Sequence, residues 1–149
     1  MAFVTPLLQM GALGVRQEQR ALCELLGQLH ADDHVYLTSP YFNITDEFRT
    51  TLLHDCAAHV TMVTASPRTS GFFGAGGLKS IIPAAYSMME ERLWYAIDSV
   101  QRRQRTSSRR IELREWFRAG WTFHGKGLWV VRAGDAAPAL VSIGSSNYG

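Results

Sequence analysis

Two β-like runs, Trp121–Val131 and Ala139–Gly149, flank the short stretch Ala133–Pro138. So short a connection turns the chain back on itself, and the runs read as an antiparallel hairpin. Side chains along a strand alternate faces, so His124 and Lys126 point one way together, as do Ser145 and Asn147. Setting Arg132 opposite Ala139 predicts His124 opposite Asn147, Lys126 opposite Ser145, Leu128 opposite Ile143 and Val130 opposite Val141. Opposed Cβ atoms stand about 5 Å apart. The open end of the hairpin would then gather an imidazole, an ammonium, a hydroxyl and an amide over an apolar base. A slip of one residue would send the two polar pairs to opposite faces.

This set suits phosphoryl chemistry. A neutral imidazole attacks phosphorus, and a protonated one gives its proton to a leaving oxygen. Lys126 brings positive charge to phosphate oxygens, and Ser145 and Asn147 donate hydrogen bonds to them. Gly125, Gly127 and Gly144 carry no side chain to block a close approach. Three familiar patterns fail here. Gly120–Lys126 imitates GxxxxGK, but Gly127 replaces the required Ser or Thr and a strand follows instead of a helix. The glycines of Gly71–Gly77 do not have GxGxxG spacing, and neither Ser145 nor Ser146 sits in GxSxG.

Upstream, residues 1–14 read as an extended lead-in. Leu22, Leu25, Leu26 and Leu29 recur at helical spacing and predict a helix over Gln17–Leu29. His34–Tyr41 alternates as a strand. Asn43 or Thr45 can cap a second helix, whose apolar face is Phe48, Leu52, Leu53 and Cys56. Val60–Ala65 is a buried-type strand, Gly71–Gly77 a loop, and Ser80 to about Gln104 a long helix with Met89, Leu93, Ile97 and Val100 on one face. Ile111–Phe117 is strand-like. The order helix–strand repeated, closing on a hairpin, predicts a mixed sheet flanked by helices in one α/β domain.

Seven arginines fall between Arg102 and Arg118, against Glu112 and Glu115 alone. They read either as a solvated helix end or as a surface attracting anionic lipid or a phosphorylated substrate. The formal net charge of +2 gives no case for nucleic acid as a partner. Cys23 and Cys56 form no CxxC and read as small buried thiols, so neither a metal nor a redox cofactor is implied. No apolar run approaches the roughly 20 residues of a membrane span. The first residues lack the pattern of a signal or transit peptide.

His124-x-Lys126 followed by Gly144-Ser145-x-Asn147 resembles the HxK…GSxN signature of the phospholipase D superfamily. Further segments resemble the second half of its phosphatidylglycerophosphate synthase branch: Leu8-Gln9-Met10, Val35–Thr38, Tyr41-Phe42-Asn43, Ala65-Ser66-Pro67, Gly71–Ala75, Ile82–Tyr86 and Gly120–Trp129. The resemblance implies a phospholipase D-like half-domain, one half of a two-lobed enzyme, spanning residues 1–149. It implies phosphatidyl transfer from CDP-diacylglycerol to glycerol 3-phosphate at an anionic membrane surface in the mitochondrion, peripheral to the inner membrane, without a cofactor. His124, Lys126 and Asn147 would be catalytic, with Ser145, Gly144 and Gly125 binding phosphate. The histidine of the missing first motif would be the nucleophile, and His124 the general acid and base. Two departures stand out. Val131 occupies the position of the superfamily aspartate, and the single HxK motif with an end at Gly149 reads as a fragment of a two-motif enzyme. The competing expectations are a homodimeric single-motif nuclease or phosphodiesterase, and a catalytically silent module that grips anionic lipid.

Overall fold

The computed structural model describes residues 3–104 and 106–148, apart from the Leu78 side chain. Arg105 of the arginine segment and Gly149 at the end of the second run lie outside them. The lead-in is more than extended chain. β1 (Gln9–Met10) and β2 (Val15–Arg16) pair antiparallel across a 3₁₀ turn at Gly11–Leu13. The main elements follow: α1 (Gln17–Gly27), β3 (His34–Thr38), α2 (Asp46–Thr50), β4 (His59–Ala65), α3 (Ile82–Arg103), β5 (Ile111–Trp116), β6 (Gly127–Val131) and β7 (Leu140–Ser142). Thr45 caps α2 by accepting from the Phe48 N–H at 3.2 Å. A π-helical turn, Thr51–Asp55, continues that helix.

The five-stranded sheet runs β5-β4-β3-β6-β7. β3, β4 and β5 are parallel, β6 is antiparallel to β3, and β7 is antiparallel to β6. The ends of β3, β4, β5 and β7 and the start of β6 therefore share one edge, the usual place for a ligand site in a sheet with parallel strands. Val35 and Leu37 turn to the buried face, level with Val60 and Met62 on β4 and with Val130 and Leu128 on β6. Leu22, Leu26 and Leu29, Phe48, Leu52 and Leu53, and Leu93, Ile97 and Val100 close over them as one core. Leu26, Leu37, Leu52 and Leu128 are wholly buried, each contributing about 1.5–3 kcal/mol relative to exposure. Met89, expected on that face, stays 36% exposed. The opposite face leaves Tyr36 42% exposed.

The hairpin forms, but its register is displaced by one residue from the expected one. Leu128 pairs with Ser142, Trp129 with Val141 and Val130 with Leu140. The cause lies outside the hairpin. Arg132 does not face Ala139; its guanidinium donates to Asp33 Oδ2 at 2.8 Å, while the Ala133 N–H donates to Asp33 Oδ1 at 3.1 Å. The turn then closes through Gly134 at φ 83, and the ladder starts with the Ala139 N–H donating to the Val130 carbonyl at 2.8 Å.

The arginine segment is not one cationic face. Arg109 turns inward, donating to the Ala58 carbonyl at 3.1 Å and the Leu53 carbonyl at 2.8 Å, where it ties off the π-helical turn. Arg102 pairs with Asp98 and Arg114 with Glu112. Cys56 is buried and Cys23 half-buried, both free thiols, and burial pushes both thiols up from their ordinary value.

Candidate active site

His124 and Lys126 sit in the irregular segment leading into β6, at the shared sheet edge. Lys126 Nζ stands 3.3 Å from His124 Nε2 and 3.4 Å from Nδ1. The ammonium and the imidazole thus form one small polar unit, with His124 exposed and Lys126 half-buried. The approach is braced from below. The Phe123 N–H donates to the Thr69 carbonyl at 3.0 Å, and the Phe123 ring tilts against Trp116 at 5.4 Å. A Cβ on Gly125 would meet that ring at 3.4 Å and Thr38 Oγ1 at 4.0 Å. At Gly127 packing leaves no room for a side chain: a Cβ there would lie 2.6 Å from the Trp129 ring and 3.1 Å from the Ser142 carbonyl oxygen.

The second half of the motif arrives by a different route from cross-strand pairing. β7 ends at Ser142, and the chain then leaves the ladder. Asn147 reaches the end of β3, where the wholly buried Ser39 sets its hydroxyl between the Tyr41 carbonyl oxygen at 2.7 Å and Asn147 Oδ1 at 3.1 Å. The hydroxyl has one proton, so the shorter bond to the Tyr41 carbonyl takes most of it and Asn147 is held by the longer, shared one. Ser145 is exposed. Gly144 turns toward α1, where a Cβ would stand 3.4 Å from Glu18 Oε1.

Tyr148 pins this segment. It adopts φ 63, costly for a residue with a side chain. Two contacts hold it there. Its ring stacks on Phe48 at 5.3 Å, and its carbonyl accepts from the Thr45 N–H at 2.9 Å. Burial, and then the Glu18 charge, raises the Tyr148 hydroxyl well above the ordinary tyrosine value. The residue after Asn147 is thereby fastened to the start of α2.

Sequence reasoning missed Thr38, Ser39 and Tyr148. Thr38 Oγ1 is buried with no hydrogen-bond partner among the described residues, directly under Gly125. Only the placement of β6 beside β3 gives it a role. Within the described residues, no three His, Cys, Asp or Glu side chains gather as a metal site.

No family model matches the chain. It is 37% identical over 147 residues to the mitochondrial CDP-diacylglycerol–glycerol-3-phosphate 3-phosphatidyltransferase of Gallus gallus, a match covering 99% of this chain and 25% of that protein. The Homo sapiens protein of the same name gives the same identity and coverage. The Saccharomyces cerevisiae one is 32% identical over 143 residues, covering 88% of this chain and 26% of its own. The chain spans about a quarter of the length of the curated relatives it matches. Among solved structures, Haemophilus influenzae phosphatidylserine synthase superposes with a TM-score of 0.62 at 18% identity, over 79% of this chain and 26% of that one. At that identity the likeness establishes the shared phospholipase D-like fold.

Proposed function

As a homologue, over 99% of its length, of one quarter of the CDP-diacylglycerol–glycerol-3-phosphate 3-phosphatidyltransferases, this chain is, we propose, the second-motif half of such an enzyme. It would contribute to transferring a phosphatidyl group from CDP-diacylglycerol to glycerol 3-phosphate, with release of CMP. The observation that carries the reading is the His124–Lys126 unit on the same sheet edge as an Asn147 whose amide is held by Ser39.

In this reading the histidine of the first motif, outside this chain, attacks phosphorus. A P–N bond forms, the P–O bond to CMP breaks, and protonated His124 gives its proton to the departing oxygen. The acceptor hydroxyl then attacks the same phosphorus. His124 takes the proton from that hydroxyl, the P–N bond breaks, and the starting protonation state returns. Lys126, the Asn147 amide and the Ser145 hydroxyl stabilise charge gathering on the phosphorus oxygens, with the Gly125 and Gly144 backbones close by.

The test is a transplant. Alone, the chain should form no phosphatidylglycerophosphate from labelled glycerol 3-phosphate. Substituted for the matching quarter of the human relative, it should support product formation and CMP release. A folded chimera that binds CDP-diacylglycerol and turns over none of it would overturn the reading.

The site would work at a mitochondrial membrane surface, as the relatives' names and the lipid substrate suggest. No helix among the described residues is long and apolar enough to cross a membrane. Around His124, however, Trp121 is 56% exposed, Phe117 55% and, on the adjoining loop, Phe73 62%. The two segments touch, since a Cβ on Gly71 would lie 3.8 Å from Thr122 Cγ2. Arg118 lies 4.1 Å over the Trp121 ring, adding a cation where anionic headgroups would sit. Trp121→Asp should weaken binding to phosphatidylglycerol-containing liposomes by roughly tenfold or more, as expected for one lost buried aromatic. Wild-type Trp fluorescence should be quenched by brominated lipid. Unchanged liposome binding by Trp121→Asp would remove this surface from the proposal.

A further inference from the structure

The sheet ends on one side in β5, and no strand among the described residues pairs with its outer rim. Six residues long and without proline, Ile111–Trp116 is an edge strand able to take another. Parallel strands bond through alternate residues. The Val60 N–H donates to the Arg110 carbonyl at 2.9 Å and the Ser66 N–H to the Trp116 carbonyl at 3.0 Å, so the even-numbered residues bond β4. Ile111, Leu113 and Glu115 therefore aim their backbone N–H and carbonyl groups outward. The Ile111 N–H shows the demand. It donates to Gln101 Oε1 of α3 at 3.2 Å, a side chain standing where the carbonyl of a further strand would come.

Beside this rim lies an open groove of about 330 Å³. Ile111–Arg114 form one wall, and Trp94, Asp98 and Gln101 of α3 the other. Trp94 stays 47% exposed there. A strand laid along such an edge takes its affinity from main-chain bonds and its selectivity from the side chains it meets. Here those are mostly charged: Arg110, Glu112, Arg114 and Glu115, with Glu112 and Arg114 paired within the chain. Charges on an edge strand normally turn other strands away. They do not turn away a second β5.

Two copies related by a twofold axis pair antiparallel and self-complementarily. Placing the axis at Leu113, in the middle of the strand, sets Glu112 opposite the partner's Arg114, and Arg114 opposite the partner's Glu112. These fall at non-hydrogen-bonded positions, where opposed side chains stand closest. Arg110 then faces the partner's Trp116, an aromatic face for a cation. Leu113 exchanges both its backbone bonds with the partner's Leu113. Glu115 meets the partner's Ile111, whose N–H exchanges its Gln101 acceptor for the Glu115 carbonyl. Moving the axis to Glu112 sets Glu112 against itself and Arg110 against Arg114. Moving it to Arg114 sets Arg114 against itself. Longer shifts leave the ends of the strand unpaired.

We propose that β5 is a self-association edge, at which two copies of this chain pair antiparallel about Leu113 and merge their five-stranded sheets into one. The partner strand runs along the groove beside Trp94. Because the pairing is antiparallel, the two His124–Lys126 units lie at opposite edges of the joined sheet. The dimer does not merge two HxK motifs into one site. It leaves each site open to a first-motif half and presents one site to a given bilayer. The inference does not depend on the reaction proposed above.

Sedimentation equilibrium of the 149-residue chain over a concentration series should show a mass rising from one chain to two. Glu112→Arg and Arg114→Glu each turn both cross-strand pairs into like charges, so each variant alone should dimerise more weakly by roughly tenfold or more. Mixed in equal amounts, the two variants regain both opposite-charge pairs, and a heterodimer should form at close to the wild-type affinity. The double variant, Glu112→Arg with Arg114→Glu, should self-associate as wild type does. These recoveries separate pairing from folding, since a chain that had failed to fold would not regain a partner on mixing. A single-chain mass at every concentration, single variants that dimerise as wild type does, or single variants that stay monomeric on mixing would overturn the proposal.

Discussion

His124→Ala in the human chimera should lower phosphatidylglycerophosphate formation by roughly 10³-fold or more, because a positioned proton donor and acceptor contributes about 10²–10⁴-fold and here the same group is asked to serve twice. The variant should fold as well as wild type. His124 is exposed, and among the described residues its side chain has Lys126 as its one hydrogen-bond partner, so neither core packing nor a buried hydrogen bond is lost. That separation makes the measurement clean: kcat/KM collapses while the melting temperature stays. Lys126→Ala should be milder, on the order of 10²-fold, since it removes charge from the phosphate oxygens without removing the proton carrier. A drop of less than tenfold in His124→Ala, or a loss of activity matched by a loss of structure, would take His124 out of the chemistry.

The parts of the fold that were legible in the sequence are those governed by neighbours. Leu22, Leu26 and Leu29 repeat at helical spacing and are buried. Val35 and Leu37 alternate with Tyr36, which stays exposed. Thr45 caps α2 because a hydroxyl three residues before Phe48 is all the cap requires. What was not legible depends on distant residues. The hairpin pattern left Arg132 free to face Ala139, whereas Asp33, 99 residues upstream, captures it and displaces the register. Thr38 and Ser39 look like an ordinary strand end until β6 inserts beside β3. The segment that carries Asn147 is fastened by Tyr148 stacking on Phe48, 100 residues upstream. No local periodicity announces such a contact.

Asp33 ties the end of β6 to the start of β3 through one side chain. It is 2% exposed and accepts from the His30 N–H at 2.9 Å, the Ala133 N–H at 3.1 Å and Arg132 Nη1 at 2.8 Å. Removing the carboxylate strands donors from two distant segments, so Asp33→Ala should cost about 3 kcal/mol of stability. In a domain of this size that lowers the melting temperature by roughly 6–12 °C. Asp33→Asn keeps one acceptor oxygen and should cost less. The pH dependence follows from the shift. The His30 N–H first, then the Ala133 N–H and Arg132, hold the carboxyl below its ordinary 3.8. A folded-state value below the unfolded one gives stability that is complete above the ordinary value and is lost as pH falls through the folded one. The gap between wild type and Asp33→Asn in urea unfolding should thus be full at about pH 7 and close only as the carboxyl protonates under acid conditions. The damage should also reach the site. Asp33 fixes β6 at its Val131 end, and the other end of that five-residue strand is Gly127, next to Lys126. Asp33→Asn in the chimera should accordingly lose transfer activity below the melting transition, through kcat more than KM. Equal urea midpoints for wild type and Asp33→Ala would show that the displaced register holds without this carboxylate.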